Sequence, residues 1–159
     1  VKTAIREKAS VIVQEITGSP ALKSRDSEKL EKFLKDVMKQ EPFINFLALA
    51  NVDGTLLSQV HAQRGEKQQF RSLKTENFED HFWFKAVKES GEAFFSDVYD
   101  SRYTGTLIIT AAYPIFDEAD KLTAIIDVDF KFEELYKLLN DLPEDVMEAE
   151  RKKVLEDNE

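Results

Sequence analysis

Apolar positions recur along the chain with two different periods, and the switch between them separates its helical and its sheet-forming parts. Over residues 1–16, Ile5, Ala9, Ile12 and Ile16 are spaced by four, three and four, one stripe of an amphipathic helix. Thr17-Gly-Ser-Pro20 interrupts the stripe, because Gly and Pro both weaken a helix interior. Leu30, Phe33, Leu34, Val37 and Met38 predict a second helix ending before Pro42. Asp26 is its expected N-cap, the carboxylate accepting from free N–H groups of the first turn.

From Phe46 the period becomes two. Phe46 to Asn51 and Thr55 to Val60 read as a hairpin around Val52-Asp53-Gly54, since Asp-Gly tolerates the positive φ of a tight turn. His61 to Asn77 is polar and without clear period; it reads as a long loop with a short helical turn, a kind of segment that is often functional. Asp80 is expected to cap a helix over about 81–90, with Phe82, Ala86 and Val87 turned inward and Gly91 closing it. Strands follow over 94–99, 106–115 and 122–130, joined by connections short enough for antiparallel neighbours. A helix over 131–140 carries Phe132, Leu135, Tyr136 and Leu139 on one face, and Pro143 breaks it. This order predicts an α+β fold: a central antiparallel sheet of about five strands with a long N-terminal helix and flanking helices. Residues 1–143 form one domain, with helices to 41 and the sheet core from 42. Residues 144–159 read as a charged helix or connector.

Composition narrows the function. A net charge of −9 excludes a nucleic-acid partner, which needs a basic face, and a polybasic membrane anchor. No apolar run reaches the roughly 18 residues that span a bilayer. The chain begins at Val1 and not at Met, so it reads as a piece of a longer protein, with any membrane segment lying outside it. Absence of Cys removes disulfides, thiolate catalysis and Cys-based zinc sites. Two His twenty residues apart have no zinc spacing, and no twelve-residue calcium loop is present. Without a G-x-S-x-G, a P-loop or a dinucleotide fingerprint, neither a metal, a cofactor nor an enzyme is expected.

The chemistry that remains is acidic and aromatic. Asp127 and Asp129 are two apart on a predicted strand and leave the same face, while Ile126, Val128 and Phe130 take the other. In a closed pocket such carboxylates require a cation, an amine or a neighbouring Lys or Arg; on a solvated sheet face they require nothing. Both readings stand for Asp127. Trp83 and Phe84 are adjacent on a helix and cannot share one face, so one fills the core while the other lines a cavity or the surface. The Tyr99 hydroxyl suits a pocket or a core edge equally.

Three stretches carry a family resemblance: Leu47 to Ser58, Asp80 to Gly91, and the set Ser96-Asp-Val-Tyr99, Thr110 to Ile115 and Ala124 to Asp129. In order and spacing, over roughly residues 28–140, they resemble the Cache or PDC sensor domains. These are PAS-like ligand-binding modules of bacterial chemoreceptors, histidine kinases and cyclic-dinucleotide enzymes. The resemblance implies an extracytoplasmic, periplasmic domain of a membrane receptor that relays binding through its C-terminal helix. In amino-acid-binding members an Arg two residues before the Trp holds the ligand carboxylate, and the Trp, the next aromatic, a strand Tyr and a final Asp complete the pocket. Carried over by position, Trp83, Phe84, Tyr99 and Asp129 match, which favours the pocket reading for Asp129. The Arg position is His81, an upstream Tyr falls near Glu76 and a second Asp near Ser101. His81 replaces the Arg only when protonated or when its N–H points inward; otherwise it is a solvated helix start. Arg102 and Tyr103 are further candidates to meet an anionic ligand, and His61 and Arg64 to form a lid. The expected ligand is a small amine, an amino-acid-like molecule or a carboxylate. The rival reading is a scaffold without a ligand. In either, the N-terminal helix is expected to pair with its twin along the Ile5 to Ile16 stripe as a homodimer, although that stripe is short for a coiled coil. The charged tail is equally at home in a cytoplasmic protein.

Overall fold

In chain order the elements are α1 (Lys2–Thr17), α2 (Pro20–Ser24), α3 (Ser27–Gln40), β1 (Ile44–Asn51), β2 (Leu56–Ala62), β3 (Phe70–Arg71), α4 (Phe82–Ser90), β4 (Phe94–Phe95), β5 (Tyr99–Asp100), β6 (Leu107–Phe116), β7 (Leu122–Lys131) and α5 (Phe132–Asn140). They are taken from a computed structural model that describes residues 2–62, 70–71, 77–100, 106–140 and 152. Among these, seven strands form one antiparallel sheet in the order β3-β2-β1-β7-β6-β4, with β5 also paired to β6. The last strand therefore lies at the centre, between β1 and β6. The fold is α+β and PAS-like, as the alternating periods predicted.

Alternation decides what each face meets. Leu47 and Leu49 of β1, Ile109 and Ala111 of β6, and Ile126, Val128 and Phe130 of β7 point to one side. There they pack with Ala9, Ile12 and Ile16 of α1 and with Leu30, Leu34 and Val37 of α3. Phe46, Ala48 and Ala50 of β1, Ala112 of β6 and Ile125 of β7 point to the other, where they meet Phe78 and the buried face of α4. Both faces of the central strands are thus covered, one by α1 and α3 and the other by α4. The α1 stripe read as a self-association seam is consumed here: Ala9, Ile12 and Ile16 are buried against the chain's own sheet. The side chain of Ile5 and the tail after residue 140, Lys152 apart, lie outside the described residues.

Local chemistry sets the remaining boundaries. Asp26 caps α3, its Oδ1 accepting from the Glu28 and Lys29 amides at 3.0 and 3.2 Å. Ser19 does the same for the short helix α2, accepting from the Ala21 amide at 3.1 Å, with Pro20 in the first turn where its missing N–H costs nothing. Periodicity alone gave no sign of so short a helix. The loop expected over 61–77 is shorter at its start, since His61 and Ala62 continue β2 and pair with Arg71 and Phe70 of β3. The 94–99 strand is broken. Phe94 and Phe95 pair with Ala112 and Ala111, but Tyr99 and Asp100 pair with Ile108 and Leu107, one residue out of register. Between them the Ser96 hydroxyl accepts from the Thr110 amide at 2.9 Å, in the place a backbone carbonyl would take. This bulge turns Tyr99 to the face it would otherwise have left.

Gly54 ties the β1–β2 hairpin to the segment that leads into α4. Its φ is +89°, its carbonyl accepts from the Phe78 amide at 2.8 Å, and Thr55 bridges to Asn77. A Cβ at Gly54 would stand 2.7 Å from Asn77 Oδ1 and 2.9 Å from the Glu79 amide nitrogen. Gly91, the C-cap of α4 at φ +70°, has nothing within 4 Å of the same position. Gly91→Ala should therefore cost about 1–2 kcal/mol, for left-handed backbone alone. Gly54→Ala should cost about 1–3 kcal/mol more, because packed atoms must also move. Urea denaturation of the two variants measures the gap, and equal losses would contradict the anchoring role of Gly54.

Candidate functional site

The second face of the sheet carries polar groups into the interior. Across it Phe46, Asp129 and Thr110 stand side by side, and one step along, Ala48, Asp127 and Ala112. Asp127 is fully buried and Asp129 nearly so, at 0% and 4% exposure. The solvated-face reading of Asp127 is thereby overturned: the pleat that sends Ile126 and Val128 into the helical core sends Asp127 into the opposite one.

The two carboxyls differ in their partners. Asp129 Oδ1 accepts from the Thr110 hydroxyl at 2.7 Å. That hydroxyl has spent its proton, so it accepts from the Tyr99 hydroxyl. The result is a relay from Tyr99 through Thr110 to Asp129, made possible by the bulge. Neither oxygen of Asp127 has a donor among the described residues. Burial, followed by the charge of Asp129, pushes the Asp127 carboxyl well above the usual carboxylate range. Burial also raises Asp129, to about 6, against the lowering pull of its hydrogen bonds to Asp127 and Thr110. Two buried carboxyls side by side disfavour the ionisation of both at once.

Above the pair lies a cavity of about 570 Å³. Asp127, Asp129, Phe46 and Ile108 form its floor on the sheet. Trp83, Phe82 and His81 enter from the start of α4, Asn77 and Asp80 from the segment before it, and Tyr99 and Asp100 from β5. His81 occupies the N-cap of α4, where Asp80 was expected, and makes no side-chain cap bond; Asp80 is exposed. The cause is the preceding turn, in which the Phe78 carbonyl accepts from the His81 amide at 2.9 Å and Asn77 Oδ1 from the Glu79 amide at 2.8 Å. That turn starts the helix one residue later and rotates its buried face to Trp83, Phe84 and Val87. The inward face expected at Phe82 and Ala86 is accordingly displaced.

Of the residues singled out in the sequence, Trp83, His81, Tyr99, Asp127 and Asp129 are brought together around the cavity. Phe84 is not: it is buried with Val87 and Phe46 in the core beside it. Phe82 takes its place in the wall, 48% exposed and edge-on to Phe94 and Tyr99. Arg102, Tyr103 and Arg64 lie outside the described residues. His61 is no lid residue: it is buried in β2, its ring 4.6 Å from that of Phe46. Sequence reasoning missed Thr110, Phe46 and Phe82. Thr110 was detectable as the one polar residue within Leu107 to Ala112.

A sheet cored by N-terminal helices on one face and hollowed under a short helix on the other defines a PAS-like binding module. The chain belongs to the family described as methyl-accepting chemotaxis protein-like, first PDC sensor domain, which matches residues 30–137. It is a sensor domain and not a catalytic one. Its fold is similar to that of a domain of a putative sensory box/GGDEF family protein from Vibrio parahaemolyticus. The TM-score is 0.70 at 15% identity, over 87% of this chain and 57% of that one. The ligand-binding domain of the Campylobacter jejuni chemoreceptor Tlp3, in complex with L-valine, gives 0.65 at 13%, over 89% and 57%. Over 138 residues, 86% of its length, the chain is 25% identical to a protein named citrate (Re)-synthase from Syntrophus aciditrophicus (strain SB), of which it spans 22%. The chain thus spans a minor part of that relative and somewhat over half of the solved domains.

The raised carboxyls set a pH dependence. Both hold protons more tightly in the folded chain than in the unfolded one. Their contribution to stability is therefore complete below about pH 4 and falls as pH rises through 6 and beyond. Asp127→Asn removes the group that is held well above the usual carboxylate range. Relative to the unaltered protein, its thermal midpoint should climb steadily between pH 4.5 and 8. The slope is the readout; a difference that stays flat with pH would rule out a titrating pair in the fold.

Proposed function

We propose that this domain is the extracytoplasmic ligand-binding part of a bacterial membrane receptor, and that the cavity over Asp127 and Asp129 holds a small amine or amino-acid-like ligand. One observation carries the reading: a fully buried carboxylate with no donor, facing a cavity, has a favourable charged state only when something brings it a cation. The volume lies in the usual range for small-molecule sites, and its mix of aromatic walls and few polar groups is typical of them. The solved chemoreceptor domain with L-valine supports the same choice. A carboxylate on the ligand would find His81 in place of the Arg of amino-acid-binding relatives. No helix among the described residues is long and apolar enough to cross a membrane, so the anchor of such a receptor falls to segments beyond them.

Ligand binding in this reading shifts a population between two arrangements of the α4 start and the β2–α4 segment. The shift can be no larger than the ligand's difference in affinity for the two. The output runs through β7, which carries both carboxylates and passes directly into α5, and from there into the connector beyond residue 143. The scaffold alternative calls for Trp83, Tyr99 and Asp129 to pack shut, against which the open cavity speaks. A homodimer formed through α1 would rest on the helix face that carries the exposed Val11.

A thermal-shift screen with amino acids, amines, small carboxylates and nucleobases tests the proposal. A compound at 100 times its Kd adds about 2.7 kcal/mol, roughly 5–10 °C for a chain of this size. Asp129→Ala and Trp83→Ala should each abolish the hit. Silence across the panel, with self-association on sedimentation, would favour the scaffold.

A further inference from the structure

Resting on that sensor reading, we propose that Asp127 and Asp129 act as one dicarboxylate subsite that exchanges a shared proton for the ammonium of an organic amine lacking a carboxylate, so that ligand uptake releases a proton. Asp127 is not among the positions matched to pocket residues of amino-acid-binding members. It is nonetheless more deeply buried than Asp129, without a donor on either oxygen, and part of the cavity floor. Its cross-strand neighbours are Ala48 and Ala112, whose methyl groups bring it no donor. Asp129 is oriented by Thr110 at 2.7 Å. A primary ammonium has three N–H donors, enough to satisfy both carboxylates at once, which an α-carboxylate on the ligand would hinder. The described lining adds two further acids at the mouth, Asp80 and Asp100, and His81 is its one residue able to carry positive charge. An amine with an apolar body fits the faces of Trp83 and Phe82; a zwitterion brings its carboxylate into an acidic cavity.

The proton balance is explicit. Before binding, the pair holds one proton and one negative charge. The ammonium enters with its own three protons, the shared proton leaves to solvent, and the site ends as two carboxylates around one cation. No other titrating group is placed to take over this role at the floor. β1 and β6 face the pair with Phe46, Ala48, Thr110 and Ala112, none of which titrates. From β2, His61 lies behind the Phe46 ring, two strands and roughly 10 Å from Asp129. Tyr99 of β5 acts through Thr110. Lys131, next on the same face of β7, is partly exposed and pairs with Ile108. His81 and Lys85 belong to the start of α4, Asp80 and Asp100 to the mouth.

Isothermal titration in phosphate and in ACES, at pH 6.5 and 7.5, counts the protons. The probes are three matched pairs: 3-methylbutylamine with L-leucine, 2-phenylethylamine with L-phenylalanine, and 1,4-diaminobutane with L-ornithine. At least one amine should bind tenfold or more tighter than its amino acid, release close to one proton at pH 7.5, and tighten by up to tenfold per pH unit as pH rises. At pH 7.5 the near-isosteric Asp127→Asn should bind that amine with almost no proton release and with a much shallower pH slope. An amino acid that binds as tightly as its amine, an amine that binds without proton release, or a release close to one proton that survives at pH 7.5 in Asp127→Asn would each overturn the inference. The first two are read on the unaltered protein and need no variant to fold. Silence from the amines, with a Trp83-dependent hit among carboxylates or nucleobases in the wider screen, overturns the inference and keeps the sensor reading. Silence from every compound overturns both.

Discussion

The strand alternation of β7, in a sheet covered on both faces, is the constraint from which the rest follows. In a sheet with one wet face the odd positions of 124–130 could be polar without consequence. Here Ile126, Val128 and Phe130 pack into the core built with α1 and α3, and the same pleat drives Asp127 and Asp129 under α4. Burying two carboxyls side by side is opposed by several kcal/mol when no cation accompanies them. Among the described residues no Lys or Arg lines the site. Retention of a proton is the remaining way to lower the cost, and it agrees with the upward displacement of both groups. The pair stands on the central strand, flanked by β1 and β6, so its geometry is held by the ladder hydrogen bonds and not by loops.

Two irregularities bring the other walls to that fixed floor. The slip of register between β4 and β5 carries Tyr99 to the cavity side and joins it to Thr110. The Gly54 turn, lodged against Asn77 and Glu79, sets where the chain enters α4 and so where His81 and Trp83 stand. Neither device belongs to the core packing. Each is a local deviation from regular structure that aims one side of the site, the arrangement expected where a binding constellation must be held more closely than a core.

Much of this was legible in the residues. The alternation of Ala124 to Phe130 gave the face of each aspartate, the Asp-Gly turn gave the hairpin, and the ordered stretches from Leu47 to Asp129 gave the family. What remained hidden depended on tertiary partners. A helix phase is fixed by its first turn, and the Phe78–His81 turn moved α4 by one residue, exchanging Phe82 for Phe84 at the wall. An amphipathic stripe states that something covers it but not what: α1 was covered by its own sheet, not by a twin. Burial of Asp127 could not be separated from exposure because periodicity reports a face and never its cover. The bulge was invisible for the same reason, since it rests on a side-chain hydroxyl of Ser96 meeting a strand ten or more residues away.

The position of the pair also bears on how a signal would leave the domain. A ligand that only filled space would have to move α4 or the segments at the mouth to be felt elsewhere. A ligand that converts a protonated pair into two charged carboxylates alters the electrostatics of β7 itself. That strand ends at Lys131, whose amide donates to the Phe43 carbonyl at 2.7 Å, and α5 begins at the next residue, with Phe132 buried in the core. In the proposed reading the binding event and the exit element thus share one strand. The energy available for the output is the difference between the two ligation states of that strand. A site on the central strand makes this difference large because its charged form is so poorly tolerated without the ligand.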